Sequence, residues 1–192
     1  MIPNGIPEKA KRVFEGVMFD IWQWDQQMYD GGTEVFERAK RKDTATVIPV
    51  VGDKILIQVE EQPDKPEPFL SLPGGLFEER ESPLACAKRE FLEESGYVSD
   101  DWVLWKKYDV LHKVVWVDHV FIARNCIFKE EPKLDSGEKI TNRFLTFDEF
   151  LLLSDDETFR NREVAMYLFR ARLDPKIKEE FYKLLFGEEK VQ

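Results

Sequence analysis

Stretches of β-branched and aromatic residues, separated by short polar turns, recur along the first three quarters of the chain. Two hairpins are predicted near the N-terminus, because glycine-containing turns join two such stretches in each case. The first pairs residues 13–24 with 33–39, and the second pairs 44–51 with 54–60. Further strands are predicted at residues 69–72, 102–110, 114–128 and 140–145.

The first predicted helix spans residues 83–95. Ser82 is a good N-cap, Pro83 suits the first helical position, and Gly96 is suited to end the helix. Three more helices are predicted near the C-terminus, at residues 147–153, at 156–172 and from 175 onward. Strands followed by one helix, more strands and C-terminal helices predict a mixed sheet with helices packed on it.

The first helix carries three glutamates, Glu90, Glu93 and Glu94, within one narrow arc, because a helix turns about 100° per residue. Like charges at this spacing repel each other, and the helix dipole disfavours anions toward its C-terminal end. A solvated acidic face, partly neutralised by Lys88 and Arg89, is one interpretation. A divalent cation site is the other, because carboxylates and substrate phosphates together hold Mg²⁺.

The stretch that contains these glutamates resembles the signature of the Nudix hydrolase family. That pattern is Gly, five residues, Glu, seven residues, Arg-Glu-apolar, one residue, Glu-Glu, one residue, Gly-apolar. Its nine fixed places are filled by Gly75, Glu81, Arg89, Glu90, Phe91, Glu93, Glu94, Gly96 and Tyr97. This agreement favours the metal site over the solvated face. The resemblance implies an α/β (α+β) fold, an α/β/α sandwich with a mixed sheet, an N-terminal β-hairpin extension and C-terminal helices.

The resemblance also implies a reaction, the metal-dependent hydrolysis of a nucleoside diphosphate linked to another moiety. Water attacks a phosphorus of the diphosphate bridge, and a nucleoside monophosphate and a phosphorylated partner are the products. Two or more Mg²⁺ ions, or Mn²⁺ in their place, are the expected cofactors. The implied metal ligands are Glu90, Glu93, Glu94 and the Gly74 carbonyl. Arg89 is expected to orient the carboxylates by pairing with them.

A general base is expected in the loop past the signature. Glu138 is the candidate, because it precedes the last predicted strand, where related enzymes often place such a glutamate. An exposed loop acid without a catalytic role is the alternative interpretation. His112 and His119 are the only histidines, and a base role is open to each of them, with packing or surface placement as the simpler explanation.

The segment before the signature resembles the ADP-ribose and ADP-sugar pyrophosphatase branch of the family. This implies an N-terminal β-hairpin extension at residues 1–42, which swaps across a homodimer and helps to close the nucleotide pocket, and a Nudix hydrolase domain at 43–192. Trp22, Trp24 and Arg38 are the candidate substrate-binding residues. Because Trp22 and Trp24 share one sheet face, dimer or core packing is the alternative for both.

The substrate stays open between ADP-ribose and a sugar nucleotide. Two features of the chain depart from that branch. Residues 62–64 are Gln-Pro-Asp, where the branch often has Gln-aromatic-Arg with the arginine facing phosphate. No proline lies between Pro83 and Pro132, where the branch usually has one some way past its signature. A nucleoside triphosphate or dinucleoside polyphosphate is the alternative substrate class. A non-catalytic, nucleotide-sensing regulator is the alternative from a different class, although such a protein is expected to lose signature glutamates.

The charge balance excludes some partners. The formal net charge is −10, from 28 Lys and Arg against 38 Asp and Glu, so no nucleic-acid partner is expected. No apolar run approaches the roughly 20 residues that span a bilayer, so no membrane partner is expected and a cytoplasmic location is predicted. The small basic cluster at residues 40–42 fits a solvated loop or an anion-facing edge, and the solvated loop is the simpler interpretation.

Overall fold

The structure is a computed structural model that describes residues 5–109 and 113–187. Its strands, β1 to β13 in chain order, span Lys11–Glu15, Asp20–Gln27, Thr33–Lys40, Thr44–Val51, Lys54–Glu61, Phe69–Ser71, Gly74–Leu76, Tyr97–Val98, Asp101–Asp109, Val114–Val115, Val117–Arg124, Ile127–Phe128 and Lys139–Leu145. Its α-helices, α1 to α4, span Pro83–Ser95, Phe147–Leu152, Arg162–Leu173 and Pro175–Phe186, and a 3-10 turn at Leu153–Asp155 follows α2.

The central sheet has the strand order β13-β5-β4-β11-β9. It is mixed, because β11 runs parallel to β4 and antiparallel to β9. Successive side chains of a strand point to opposite faces, and Val47 of β4 packs with Phe91 of α1. The next residue, Ile48, packs with Leu168 of α3 and Phe181 of α4 on the other face. The predicted α/β/α sandwich is therefore confirmed.

The second predicted hairpin is present, but its strands separate beyond the turn. In β4 and β5 only the pairs Val50–Ile55 and Val51–Lys54 are joined. Past this point β6 pairs with β5 and β7 pairs with β4. Strand β7 begins with Gly74 and Gly75, which form the glycine turn of the signature region, and α1 packs against β7 and β4. The splayed strands thus place the glycine turn over α1.

The N-terminal sheet has the order β1-β2-β3-β10. The predicted pairing of the first hairpin is confirmed by β2 and β3, which run antiparallel from Asp20–Lys40 to Gln27–Thr33. The single strand predicted at residues 13–24 is wrong, because a turn divides it into β1 and β2. The N–H of Gly16 donates to the carbonyl of Phe19 at 3.1 Å, and a Cβ at Gly16 would lie 2.5 Å from that oxygen.

Two other predicted elements differ in the structure. The strand predicted at 114–128 is three strands, β10 to β12, and Asn125 adopts a left-handed φ of 54° between the last two. The helix predicted from residue 156 begins at Arg162, because Phe159 instead forms a bridge with Leu70 of β6. Val110 of the strand predicted at 102–110 lies outside the described residues. Among the helices that are described, none combines the length and apolar character needed to cross a membrane.

Candidate active site

Helix α1 begins and ends where its sequence predicts. The Ser82 hydroxyl accepts a hydrogen bond from the Ala85 N–H at 3.3 Å, and Pro83 occupies the first turn. Gly96 ends the helix with a left-handed φ of 78°, and its N–H donates to the Leu92 carbonyl at 2.9 Å. These local contacts fix the register of the glutamates on the helix.

Arg89 joins the carboxylates of the signature. Its guanidinium donates to both oxygens of Glu81, at 3.0 and 2.9 Å, to Glu90 at 2.8 Å and to Glu93 at 3.1 Å. It also donates to the Leu76 carbonyl at 3.2 Å, which ties α1 to β7. These bonds raise the pKa of Arg89 and lower the pKa of Glu81. The geometry fits the predicted orienting role of Arg89.

The backbone of Gly74 and Gly75 lies directly against Glu94 and Glu90. The Gly74 N–H donates to Glu94 at 2.9 Å, and Glu94 is buried, with 8% of its surface exposed. A Cβ at Gly75 would lie 2.2 Å from Oε1 of Glu90, and a Cβ at Gly74 would lie 2.1 Å from the Ala45 carbonyl oxygen. Only glycine fits at position 74, because a Cβ there would clash with the backbone of β4, whereas a Cβ at position 75 would displace the Glu90 carboxylate.

Three polar residues that the sequence reasoning missed continue this cluster. The amide of Gln58 donates to Glu94 at 3.2 Å. The Ser71 hydroxyl donates to the buried Glu60, and its oxygen lies 3.5 Å from the side-chain oxygen of Gln58. Gln58 and Glu60 occupy alternate positions of the apolar strand β5, so they face the same side. That alternation is the sequence signal that could have found them.

The buried carboxylates are not fully neutralised. Burial raises the pKa of Glu94 well above its ordinary value, and the charges of Glu90 and Glu60 add to that rise. Burial also raises the pKa of Glu90, with a contribution from Glu93 that Arg89 opposes. Burial is again the main cause of the raised pKa of Glu60. A cation beside these groups would favour their ionised forms.

Hard oxygen donors of this kind suit Mg²⁺ or Mn²⁺. Within the described residues, however, no three acidic, histidine or cysteine side chains are arranged as a ready-made metal cage. Arg89 holds Glu90 and Glu93, while Gly74 and Gln58 hold one oxygen of Glu94. The donor set therefore fits a divalent ion in its chemistry, without a closed three-ligand arrangement.

Glu138, the candidate general base, lies within electrostatic reach of this cluster. Its negative charge contributes to the raised pKa values of Glu60 and Glu90, and it accepts a hydrogen bond from the Asp135 N–H at 3.3 Å. His119 is buried and packs on Phe77, with 5.4 Å between ring centroids. This is the packing alternative for that histidine. His112 lies outside the described residues.

The candidate substrate-binding residues lie in the N-terminal sheet. Trp24 is buried with Ile6 in a small core against which Trp22 also packs. Arg38 donates to the Gly5 carbonyl at 2.7 Å. Among the described residues, no hydrogen bond or ion pair joins these three side chains to the signature glutamates. Core packing, the alternative for the tryptophans, is what the single chain shows, and the substrate role stays a prediction.

Comparisons with known proteins agree with this geometry. A family model described as the NUDIX domain matches residues 40–168. The ADP-ribose pyrophosphatase of Bacillus subtilis (strain 168) is 24% identical over 159 residues, which cover 81% of this chain and 85% of that protein. The methanol dehydrogenase activator of Bacillus methanolicus is 26% identical over 150 residues, 74% of this chain and 79% of that protein. A solved structure titled as an ADP compounds hydrolase aligns with a TM-score of 0.71 at 21% identity, covering 88% of this chain and 94% of that one.

Proposed function

This chain belongs to the Nudix family of hydrolases, and we propose that it is a metal-dependent pyrophosphohydrolase of a nucleoside diphosphate linked to another moiety. ADP-ribose or a sugar nucleotide is the proposed substrate, and a nucleoside monophosphate and a phosphorylated partner are the proposed products. The observation that carries this proposal is the arrangement of the buried Glu94 and of Glu90 against the glycine turn, with Arg89 bound to Glu90.

We assign the metal-binding role to Glu90, Glu93, Glu94 and the Gly74 carbonyl, with two or more Mg²⁺ or Mn²⁺ ions as cofactors. When bound, such ions neutralise the diphosphate oxygens and lower the pKa of water so that hydroxide forms near neutral pH. Arg89 holds Glu90 and Glu93 in place, and the Gly74 N–H fixes one oxygen of Glu94. The second oxygen of Glu94 has no protein hydrogen bond within the described residues.

The remaining requirement of the proposed reaction is a residue that accepts the proton of the attacking water. A water oxygen forms a bond to one phosphorus, the bond from that phosphorus to the bridging oxygen breaks, and the leaving phosphate keeps the electron pair. Glu138 is the proposed acceptor of the water proton, because it lies within electrostatic reach of Glu90 and Glu60.

The proposed homodimer finds support in the N-terminal extension. Phe14, Ile21 and Ala39 are paired across β1, β2 and β3, so they share the face opposite Trp22 and Trp24. On this face Phe14 is 59% exposed, and Val35 is 64% exposed. Apolar side chains grouped in this way mark interaction surfaces. The division into an N-terminal extension at residues 1–42 and a Nudix hydrolase domain at 43–192 stays a prediction.

The choice among substrates rests on the relatives. One of them is named for ADP-ribose, whereas the other is named as an activator of another enzyme. The retained and bonded signature glutamates favour turnover over the alternative of a non-catalytic regulator. Hydrolysis of a nucleoside triphosphate or dinucleoside polyphosphate remains the alternative activity. The cytoplasmic location and the lack of a nucleic-acid partner stay predictions.

The direct test incubates the purified protein and Mg²⁺ with ADP-ribose, sugar nucleotides, dinucleoside polyphosphates and nucleoside triphosphates. We expect a nucleoside monophosphate and a phosphorylated partner from at least one diphosphate-linked compound, with no turnover when the metal is chelated. Turnover of triphosphates alone would replace the proposed substrate class by the alternative. The absence of turnover with every compound would contradict the proposed function.

A further inference from the structure

A surface cavity of about 380 Å³ lies between the proline-containing loop before β6 and the segment that leads into α3. Pro66, Pro68 and Phe69 line one side of it, and Thr158 and Arg160 line the other. Its volume is within the range of about 300–1,000 Å³ that is usual for small-ligand sites. Its mixture of apolar surface and a few polar groups is also typical of such sites.

This cavity is the direct continuation of the carboxylate cluster. Phe69 pairs with Glu60 in the register of β6 and β5. Ser71, two residues further along β6, donates to Glu60 and reaches Gln58. Two residues of a strand span about 7 Å, so the cavity begins one side chain away from the chain of contacts that ends at Glu94.

The backbone that carries Arg160 is held rigidly against β6. The Leu70 N–H donates to the Thr158 carbonyl at 3.2 Å, and the Arg160 N–H donates to the Leu70 carbonyl at 2.8 Å. The Asn161 side chain accepts a hydrogen bond from the Leu72 N–H at 2.8 Å. These three bonds form the unexpected strand-like segment that replaces the start of the predicted helix, and they aim Arg160 at the cavity.

Arg160 has no ion pair and no side-chain hydrogen bond within residues 5–109 and 113–187. Its guanidinium carbon lies 5.2 Å from the centroid of the Phe69 ring, which is within the range of a cation–π contact. This contact uses none of the N–H donors of Arg160. The other cavity cations are engaged: Arg162 donates to the Glu157 carbonyl at 2.6 Å, and Lys65 pairs with Asp64 at 3.7 Å.

A second arginine, Arg41, lies in the link between β3 and β4. Its guanidinium carbon is 5.1 Å from the centroid of the Trp116 ring, and its Nε is buried without a hydrogen-bond partner among the described residues. Burial and the positive charge of Arg160 lower the pKa of Arg41, whereas the carboxylate of Asp118 raises it. Arg41 therefore already has an anion of the chain within electrostatic reach, and it is not part of the site proposed here.

We propose that Arg160 binds a phosphate of the substrate diphosphate and that the cavity beside Phe69 takes the group attached to that phosphate. The planar guanidinium matches phosphate oxygens with two parallel hydrogen bonds, and the contact with Phe69 places it at the cavity. Only the identity of the anion rests on the proposed function.

The test measures binding of methylenediphosphonate, a diphosphate analogue that cannot be hydrolysed, by isothermal titration calorimetry with Mg²⁺ and the full chain. Arg160→Met should weaken binding by at least about tenfold, and Arg160→Lys should not restore it, because a point charge cannot replace the paired donors. The matched control is Arg170→Met, an exposed arginine that lies about 12 Å further along α3. Thermal melting followed by circular dichroism verifies that each variant is folded.

Turnover provides a second readout that separates this inference from the proposed function. For any compound that the wild-type protein hydrolyses, Arg160→Met should raise KM by at least about tenfold with kcat within about threefold, because the removed contact binds substrate and transition state alike. Hydrolysis by the wild type combined with unchanged binding and KM in Arg160→Met would overturn the anion site alone. Binding that depends on Arg160 without hydrolysis of any compound would overturn the proposed function and leave the anion site standing.

Discussion

The signature region and the N-terminal sheet differ in the side chains that they bury and expose. Around α1, charged groups are drawn inward and bonded to one another, so that Arg89 contacts three carboxylates and Glu94 is buried. In the N-terminal sheet, Trp24 is buried on one face while Phe14 on the other remains 59% exposed. The first region has excess negative charge, and we expect it to bind a cation. The second has excess exposed apolar surface, and we expect another protein surface to cover it.

This contrast also determines what each region needs from outside the chain: the signature region needs positive charge, and the N-terminal sheet needs a surface that covers it. Buried carboxylates carry raised pKa values until positive charge arrives. Exposed apolar side chains gain nothing until they are covered. The hydrogen-bonded network around α1 therefore forms within one chain, whereas the proposed role of the N-terminal sheet depends on a second copy of the chain.

The largest effect is expected from Glu94→Gln. Removal of the charge should lower kcat by more than about 100-fold, since even the supporting partners of metal ligands are worth about 10–100-fold. The metal-free variant should melt no lower than the wild type, because a carboxylate whose pKa is raised in the folded state costs stability at neutral pH. Glu131→Gln, an exposed loop acid, is the control, and normal turnover by Glu94→Gln would refute the assigned role.

Arg89→Met should lower both activity and stability, because it leaves Glu81, Glu90 and Glu93 without their shared partner. We expect a loss of about 10–100-fold in kcat/KM and a loss on the order of 3 kcal/mol in the free energy of unfolding. Urea unfolding followed by circular dichroism measures the second quantity. Arg89→Lys should rescue little, because lysine lacks the paired donors.

The exposed Lys88 provides the comparison for Arg89, since Lys88→Met removes one positive charge from the same helix without breaking a bond to a signature glutamate. Equal losses in the two variants would mean that net charge, rather than the bonded network, stabilises α1. That result would weaken the contrast between the two regions of the molecule.

How far the sequence predicts each region follows the same division. The ends of α1 were predictable from Ser82 and Gly96, because capping contacts join residues three or four positions apart. The bond between Gly74 and Glu94 spans 20 residues, and only the family resemblance brought these residues together. Gln58 was missed, because its bond to Glu94 spans 36 residues and depends on how β4 and β5 separate.

The turn at Gly16 and the start of α3 show what local patterns leave out. Residues 13–24 are rich in strand-forming side chains on both sides of Gly16, so the pattern alone favours one strand. The segment before Arg162 has helical periodicity, but its backbone bonds to Leu70 of β6 instead. In both cases a tertiary or turn contact outweighs intrinsic propensity.

Phe14→Glu tests whether the N-terminal sheet completes itself against a second copy. We expect the wild type to be a dimer by size-exclusion chromatography with light scattering at micromolar concentration, and the variant to be a folded monomer, because burying an unpaired carboxylate opposes association. Met166→Glu on α3, where the native side chain is 72% exposed, is the matched control. A monomeric wild-type protein would remove the proposed dimer.

A smaller effect is expected from Asp118→Asn, near the junction of the two regions. The Asp118 carboxylate accepts hydrogen bonds from Thr44 at 2.9 Å and Thr46 at 3.1 Å, and burial raises its pKa to about 6. Compared with the unfolded state, the folded state therefore favours the protonated form of Asp118. As the pH rises from about 4 to about 6, the ionisation of Asp118 lowers the free energy of unfolding. The variant should be more stable than the wild type by on the order of 1 kcal/mol at pH 7.5.

Chemical unfolding at several pH values decides the sign for Asp118. The greater stability of Asp118→Asn should disappear below pH 4, as Asp118 of the wild type becomes protonated in both the folded and the unfolded state. A wild-type protein that is the more stable of the two at pH 7.5 would show that the charged carboxylate is favoured in the fold.

The central claim is that Glu90 and Glu94 hold divalent ions against a diphosphate. Its most direct test is a titration with Mn²⁺ in the presence of methylenediphosphonate, in which electron paramagnetic resonance reports the free Mn²⁺. We expect the wild type to bind two or more ions per chain and a folded Glu90→Gln, Glu94→Gln double variant to lose them. Equal Mn²⁺ binding by the two proteins, or no binding by the folded wild type, would contradict the account.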